Sequence, residues 1–246
     1  MPQSRMLELT KVADLDVSAA SGLVALGDRL CVVADDELFL ALYDLEGRPE
    51  QRVALFPGAL SETHAERKRD KRDLEALAAL PDGRLLALGS GSTEGRMRGA
   101  LIEPARGWTV HEIDLRPLYG ALRTNVPELN IEGAAVHAGR LWLAQRGNGA
   151  SGANACIELD LESVAGSLDR ENALRPNSLC ALHTVQLGEL DGVPLGLTDL
   201  AADPRTGLLF CAAAETGAST YEDGACAGSV IGRLSIDGEV QTIVRV

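Results

Sequence analysis

Short apolar runs alternate along the chain with turns rich in Gly, Pro, Asp and Asn, and one phrase of this pattern occurs four times. In each copy an acidic or hydroxyl residue opens an apolar run, a Gly-containing turn follows, and Leu begins a second apolar run. The copies begin at Ser21, Glu75, Glu132 and Asp199, 54 to 67 residues apart. Repeats of this length, built from runs too short for helices, predict the blades of a β-propeller.

Each repeat contains four predicted strands, so the fold class is all-β, with four-stranded antiparallel blades in a single domain spanning residues 1–246. The turns between the runs fix the strand boundaries. The predicted strands cover 21–26, 29–34, 37–43 and 51–56 in the first repeat; 75–80, 84–89, 98–103 and 108–114 in the second; 132–137, 140–145, 155–160 and 181–187 in the third; and 199–203, 207–214, 228–236 and 239–245 in the fourth.

One further apolar run, at 6–12, precedes the first repeat and resembles an outer strand. A strand from one terminus often completes the last blade of a propeller, because it seals an open sheet edge. The fourth repeat already has its own outer strand at 239–245, so two arrangements remain. The first is a five-bladed plan with an incomplete last blade, and the second is four blades with an extra edge strand. A separate insertion at 161–179 has the pattern of a short helix.

Composition narrows the classes of partner. The formal charge of −13, from 23 basic and 36 acidic residues, opposes binding to nucleic acid or to an anionic membrane surface. The chain has no run apolar enough for a signal peptide or a membrane span, which predicts a cytoplasmic protein. The five cysteines are odd in number and have no Cys-x-x-Cys spacing, so they are expected to be reduced and buried rather than bound to zinc.

Long polar loops fall at one face of the predicted disc, where a small-molecule or protein ligand is expected to bind. Four residues of these loops are candidate ligand-binding residues: Ser90, Arg96, Arg146 and Asn148. The guanidinium groups of the two arginines could bind an anionic group. Alternatively, they could form ion pairs with Glu75, Glu132 or acidic residues of the loops. Ser90 belongs to a Gly-Ser-Gly-Ser run that lacks the following helix of a phosphate loop. The mixed-charge run at 62–73 is predicted to be a solvated crossover.

The phrases Asp73-Leu-Glu75-Ala-Leu-Ala and Asn130-Ile-Glu132-Gly-Ala-Ala resemble the inner-strand phrase of a bacterial propeller superfamily. That superfamily includes phytase-like and SdiA-regulated proteins, gluconolactonase-type relatives and several families of unknown function, and the resemblance is closest to its members of unknown function. In several of them, inner-strand acids at the channel mouth hold a divalent cation, often calcium, and some hydrolyse lactones, esters or phosphoesters. The resemblance implies metal ligands at Glu75 and Glu132, with Asp199 in the equivalent position. Ser21 departs from the acidic pattern in the first repeat.

Physical chemistry gives these three carboxylates two possible roles. Inner strands crowd around the propeller axis, so the carboxylates would repel one another unless a cation compensates them. An oxygen-rich site suits Ca²⁺ or Mg²⁺ better than zinc. Alternatively, the carboxylates bond to backbone amides and arginines and lock the blades together around a water-filled channel.

The predicted function is therefore a propeller that binds a small ligand or a divalent cation at the acidic mouth of its channel. Two alternatives remain open: a metal-dependent hydrolase of a lactone, ester or phosphoester, and a noncatalytic protein-interaction scaffold. No catalytic residue is assigned, because the four histidines have no paired metal spacing and no Ser-His-Asp arrangement is supported.

Overall fold

A computed structural model describes residues 7–61, 63, 66–67, 70–147, 152–216, 225–235 and 237–246. These residues form four antiparallel sheets that follow one another along the chain as the blades of a β-propeller. The predicted all-β propeller is confirmed, and of the two arrangements considered the structure has the four-bladed one. No described helix is long and apolar enough to cross a membrane.

In each blade the first long strand is the innermost, and the following strands pair outward in sequence order. Blade 1 contains β1 (Ala20–Leu26), β2 (Arg29–Ala34), β3 (Phe39–Asp44) and β4 (Pro49–Ala54); blade 2 contains β5 (Leu74–Ala79), β6 (Leu85–Gly89), β7 (Arg98–Glu103) and β8 (Thr109–Asp114); blade 3 contains β9 (Ile131–His137), β10 (Arg140–Gln145), β11 (Asn154–Asp160) and β12 (Leu179–Val185); and blade 4 contains β13 (Glu189–Leu190), β14 (Val193–Asp203), β15 (Gly207–Glu215), β16 (Cys226–Leu234) and β17 (Val240–Arg245).

Two α-helices whose full extent lies within the described residues supplement the sheets. Helix α1 (Arg116–Leu122) lies in the crossover from blade 2 to blade 3, and α2 (Leu161–Glu171) lies within the insertion between β11 and β12. Asp160 caps α2 by accepting the Ser163 N–H at 2.9 Å. Asn172 ends this helix in the left-handed region, at φ 48°. The predicted helix in this insertion is confirmed.

The hydrophobic core lies between successive blades rather than in one central cluster. Separate clusters fill the junctions between blades 1 and 2, blades 2 and 3, and blades 3 and 4. Each cluster has members from both of its blades: Cys31 and Leu85 in the first, Leu88 and Leu141 in the second, and Trp142 and Phe210 in the third. Burial at these three junctions supplies the main stabilising term of the fold.

The N-terminal segment, residues 7–19, connects blade 4 to blade 1. The Leu7 N–H donates to the Arg245 carbonyl of β17 at 2.9 Å. Farther along, Leu15 and Val17 cover the outer part of blade 1, where the Tyr43 hydroxyl donates to Asp16 at 2.6 Å. The strand predicted at 6–12 is therefore not formed over its described residues, because the chain leaves the sheet edge after Leu7 to cover blade 1.

The cysteines only partly match the prediction. All five are free, but only Cys31 and Cys156 are buried. The expectation that the other three are buried is wrong: Cys180 lies on an outer strand, Cys211 faces away from blade 3, and Cys226 begins β16.

Candidate functional site

Every inner strand carries one bulged residue near the channel mouth. In β5, Leu74 pairs with Gly89 and Ala76 with Leu88, which leaves Glu75 without a cross-strand partner. The same interruption occurs once in each of the other inner strands. The four bulged residues are Ser21, Glu75, Glu132 and Thr198. The side chain of a bulged residue points away from the direction that the alternation along the strand would give it. Each blade therefore presents one polar residue from an equivalent position.

Asp199 is not a member of this set, although the repeated phrase aligns it with Glu75 and Glu132. It pairs with Cys211 in the regular ladder, one residue after the bulge at Thr198. A shift of one residue moves a side chain to the other face of a strand. Asp199 accordingly lines a separate cleft of about 130 Å³ with Leu209 and Ile231. Burial raises its pKa to about 7, although it accepts a hydrogen bond from the Leu200 N–H.

An acidic cluster lies beside the first two bulges. One carboxylate oxygen each from Asp35, Asp73 and Glu75 lies within 4.8 Å of the others. Asp35 directly follows β2, and its N–H donates to the hydroxyl of Ser21 at 3.1 Å. Asp73 directly precedes β5 in the left-handed region, at φ 57°, a conformation that Asp tolerates better than most residues. The turn after one strand and the entry to the next therefore bring the three carboxylates together.

Two cationic side chains and one hydroxyl compensate this cluster. The Lys71 ammonium lies 2.8 Å from Asp73 Oδ1 and also contacts Asp35 Oδ2. Arg96 Nη1 lies 3.0 Å from Asp73 Oδ2, and the Ser90 hydroxyl donates to the same oxygen at 2.5 Å. Both carboxylates of the Asp35–Asp73 pair are thus already paired with cations.

Glu75 differs from its neighbours, because no hydrogen bond or ion pair joins its carboxylate to another described residue. Burial raises the pKa of Glu75 well above its usual value, and the nearby charges of Glu132, Asp73 and Asp35 raise it further. This environment favours the neutral form of the carboxyl group, and a bound cation would favour the carboxylate.

Glu132 lies in a separate, satisfied network. Asn130 Nδ2 donates to Glu132 Oε1 at 2.6 Å, and Arg146 Nη1 lies 3.2 Å from Oε2. Arg146 Nη2 lies 2.6 Å from Glu215 in blade 4, so the guanidinium connects blades 3 and 4. Burial raises the pKa of Glu132 to about 7 despite these partners. For Glu132 the structure supports the role of locking the blades.

The structure thus separates the residues selected from the sequence. Glu75 joins the acidic cluster, Glu132 lies near it, and Asp199 lies elsewhere. Of the candidate ligand-binding residues, Arg96, Arg146 and Ser90 are buried and hold carboxylates, while Asn148 lies outside the described residues. No motif in the sequence marks Asp35 or Lys71 as part of this site. Asp73 and Asn130 had a signal in the sequence, since each precedes the glutamate of its phrase by two positions.

These features define a four-bladed β-propeller with a buried acidic cluster at the mouth of its channel. Residues 16–245 match the model of a family of unknown function, DUF6929, and the chain belongs to that family. No curated protein matches it in sequence.

Several solved structures show a distant likeness. Hydrazine synthase from Kuenenia stuttgartiensis has a TM-score of 0.48 at 13% identity, covering 98% of this chain and 53% of that one. A protein of unknown function from Bacteroides thetaiotaomicron has a TM-score of 0.48 at 12% identity, covering 97% of this chain and 46% of that one. An inactive virginiamycin B lyase from Staphylococcus aureus, solved with quinupristin, has a TM-score of 0.42 at 10% identity, covering 93% and 70%. The chain thus spans about half the length of the first two structures.

Proposed function

We propose that this propeller binds a divalent cation, Ca²⁺ or Mg²⁺, through Asp35, Asp73 and Glu75. The observation that carries the proposal is the convergence of their three carboxylate oxygens within 4.8 Å of one another. Carboxylate oxygens are the preferred ligands of both ions, and three of them at this spacing can share one ion. Glu75 supplies the ligand that no side chain of the described protein occupies.

The charge balance of the mouth supports the same proposal. The acidic cluster and the neighbouring network of Glu132 together contain five carboxylates, from Asp35, Asp73, Glu75, Glu132 and Glu215, and three cations, from Lys71, Arg96 and Arg146. With every group ionised, the two groups together carry an excess of two negative charges. Burial raises the pKa values of Glu75 and Glu132, and the charges of neighbouring carboxylates raise them further. One divalent cation would neutralise the excess charge.

Lys71 is the competitor for this site, because its ammonium contacts two of the three proposed ligands. A metal ion that binds Asp35 and Asp73 must displace the ammonium, and the flexible side chain of lysine makes this movement possible. The apparent affinity for the cation therefore includes the loss of two ion pairs. This competition favours a divalent ion over a monovalent one.

The resemblance of the Asp73–Glu75 phrase to propellers that hold calcium at the channel mouth supports the same site. Hydrolysis of a lactone, ester or phosphoester would require this ion to polarise the substrate or activate a water molecule. Cation binding is therefore tested before any substrate screen.

Thermal unfolding in chelator and then in CaCl₂, MgCl₂ or ZnCl₂ tests the proposal. A cation that binds only the folded state raises the Tm with concentration. Calcium or magnesium should raise the Tm of the wild type, and the rise should be absent in Glu75→Gln. The control is Glu189→Gln, an exposed acid of β13, which should respond like the wild type. If neither ion raises the Tm, or if Glu75→Gln responds normally, the proposal is wrong and a noncatalytic scaffold becomes the better account.

A further inference from the structure

A polar cavity lies between blades 2 and 3, at the end of the disc opposite the acidic cluster. Glu75 lies near the start of β5, whereas the turn that lines this cavity follows the end of the same strand. The volume of the cavity is about 590 Å³, which is within the range of small-molecule sites. Its walls come from the β5–β6 turn, the β7–β8 hairpin and the last turn of α2.

One carboxylate of this cavity, that of Glu103, has no short hydrogen bond to a described residue. The side chain of Glu103 is only 14% exposed, and its oxygen Oε2 lies 3.5 Å from Arg106 Nη1 and 3.4 Å from His111 Nε2. Both distances exceed the roughly 2.7–2.9 Å of a charge-assisted hydrogen bond. No described residue donates to the other oxygen, Oε1. A carboxylate held largely out of water gains from a closer donor.

The charges that line the cavity favour a positively charged ligand. Three carboxylates and two guanidinium groups line it, so with His111 neutral the wall has an excess of one negative charge. Arg84 lies 2.7 Å from Asp82 and 2.6 Å from Asp169, so its charge is already shared by two acids. The Arg106 side chain is 77% exposed, and solvent screens its attraction for Glu103. The unbalanced negative charge of the wall therefore lies at Glu103.

The end of α2 adds to the same electrostatic preference. This helix of 11 residues contributes Leu168, Asp169 and its C-cap Asn172 to the cavity wall. The last carbonyl groups of a helix have no partner within the helix, and they form the negative end of its dipole. A cation in the cavity would therefore be stabilised by the backbone of α2 as well as by Glu103.

The rest of the wall is apolar, which favours an organic cation over a metal ion. Leu101 and Leu168 are 3% and 0% exposed, and Pro104 and Ala105 complete this part of the lining. A metal ion needs several oxygen ligands within about 2.6 Å. The acids of this wall are not among the described residues that converge closely enough to share an ion. A cavity of this size with one apolar side instead suits a cation that carries a short hydrocarbon chain.

We propose that this cavity binds a small aliphatic amine in its cationic form. The ammonium group has three donors, which bind the carboxylate of Glu103 and the carbonyl groups at the end of α2. The methylene groups pack against Leu101 and Leu168 and are removed from water. This amine site is separate from the divalent-cation site at Asp35, Asp73 and Glu75, and it does not depend on that site.

Three probes with the same four-carbon chain test the charge preference of the cavity. Butylammonium chloride, 1-butanol and sodium butyrate are titrated into the protein at fixed ionic strength, and binding is followed by saturation-transfer difference NMR. We expect butylammonium to bind saturably and at least about tenfold more tightly than the other two. Equal binding of butanol would mean that the chain alone is recognised, and tighter binding of butyrate would mean that Arg84, Arg106 or His111 dominates. Either result, or no binding of butylammonium, would overturn the proposal.

Two variants place the bound amine in this cavity. Glu103→Gln removes the charge and should weaken butylammonium binding at least about tenfold, because hydrogen bonds to charged groups are the stronger ones. Ala105→Trp keeps every charge but fills the cavity from its exposed rim, and it should abolish binding. The second variant keeps the test decisive if the first one folds poorly. Unchanged binding by a folded form of either variant would overturn the proposal.

Two control variants should bind butylammonium like the wild type. Glu112 follows His111 on β8 and points to the other face of the sheet, where it lies 3.5 Å from Arg98, so Glu112→Gln leaves the cavity unchanged. Glu75→Gln alters only the channel mouth. Loss of binding in Glu75→Gln would place the amine at the divalent-cation site, and loss in Glu112→Gln would mean that binding follows surface charge in general. Both results would contradict an amine site at Glu103.

Discussion

The Lys71 ammonium lies 2.8 Å from Oδ1 of Asp73 and contacts Asp35 as well, so one side chain bridges the end of β2 to the start of β5. This lysine supplies one positive charge to a cluster of three carboxylates. Glu75 remains without a partner among the described residues. The electrostatic state of the site therefore depends on whether Lys71 or a metal ion holds Asp35 and Asp73.

Replacing Lys71 with Met should make the fold depend on a divalent cation. In chelator, Lys71→Met leaves Asp35 and Asp73 facing each other without their shared ammonium, and we expect a loss of about 3 kcal/mol in unfolding free energy. Calcium or magnesium should restore most of this loss, and should stabilise the variant more than the wild type. Urea unfolding with and without the ions measures both effects.

Lys11→Met is the control for that variant, because Lys11 forms only an exposed ion pair with Asp14 and such pairs contribute little. Its unfolding free energy should match that of the wild type. A Lys71→Met protein that is destabilised but gains nothing from either ion would argue against the site.

Adding one methyl group at Gly133 should disturb the junction between blades 3 and 4. The new Cβ would lie 2.5 Å from the Leu200 nitrogen and 2.7 Å from the Asp199 Cα, so the two inner strands must separate. We expect Gly133→Ala to cost about 1–3 kcal/mol in urea unfolding. Gly95→Ala is the matched control, since a Cβ there meets nothing within 4 Å and should have little effect. Equal stability of the two variants would contradict the proposed packing.

The buried carboxyl of Asp199 should make stability fall as the pH rises. Its pKa is raised from 3.8 to about 7 by burial, so the folded state favours the protonated form. Below the unfolded pKa the group costs nothing, and its destabilising effect grows between about pH 4 and pH 7 before it levels off. Asp199→Asn should flatten this part of the profile and raise stability near pH 8 by up to about 3 kcal/mol, less any screening by solvent.

The same variant also tests the position of the bulge in β14. Because Thr198 rather than Asp199 occupies the bulge, Asp199→Asn should leave the response to calcium and magnesium unchanged. Loss of that response would place Asp199 in the cation site after all.

Much of the fold could be predicted because apolar runs and turn residues encode strands directly. The position of Glu75 could be predicted because its phrase repeats at Glu132. The displacement of Asp199 could not, since a bulge inserts one residue without changing the apolar pattern, and Thr198 looks like any residue of a strand. The phrases at Glu75 and Asp199 both begin with an acid, but the bulge at Thr198 places Asp199 on a different face of its strand.

The acidic cluster was only partly predictable for a different reason. Asp35 lies in a tight turn of blade 1, and only the packing of blade 1 against blade 2 brings it near Glu75. Lys71 lies in the charged run at 62–73, which was expected to be solvated throughout. Its side chain is only 13% exposed, because it spans the two blades between Asp35 and Asp73. Contacts between blades of this kind leave no periodic signal in a sequence.

Isothermal titration calorimetry of CaCl₂ and MgCl₂ into the chelator-treated protein tests the cation site most directly. We expect one ion to bind per chain, and because the raised pKa of Glu75 favours its protonated form, lowering the pH should weaken binding. Glu75→Gln should bind neither ion, while Glu189→Gln should bind like the wild type. The absence of binding heat in the wild type across several buffers, or unchanged binding by Glu75→Gln, would contradict the assignment of Asp35, Asp73 and Glu75 as a metal site.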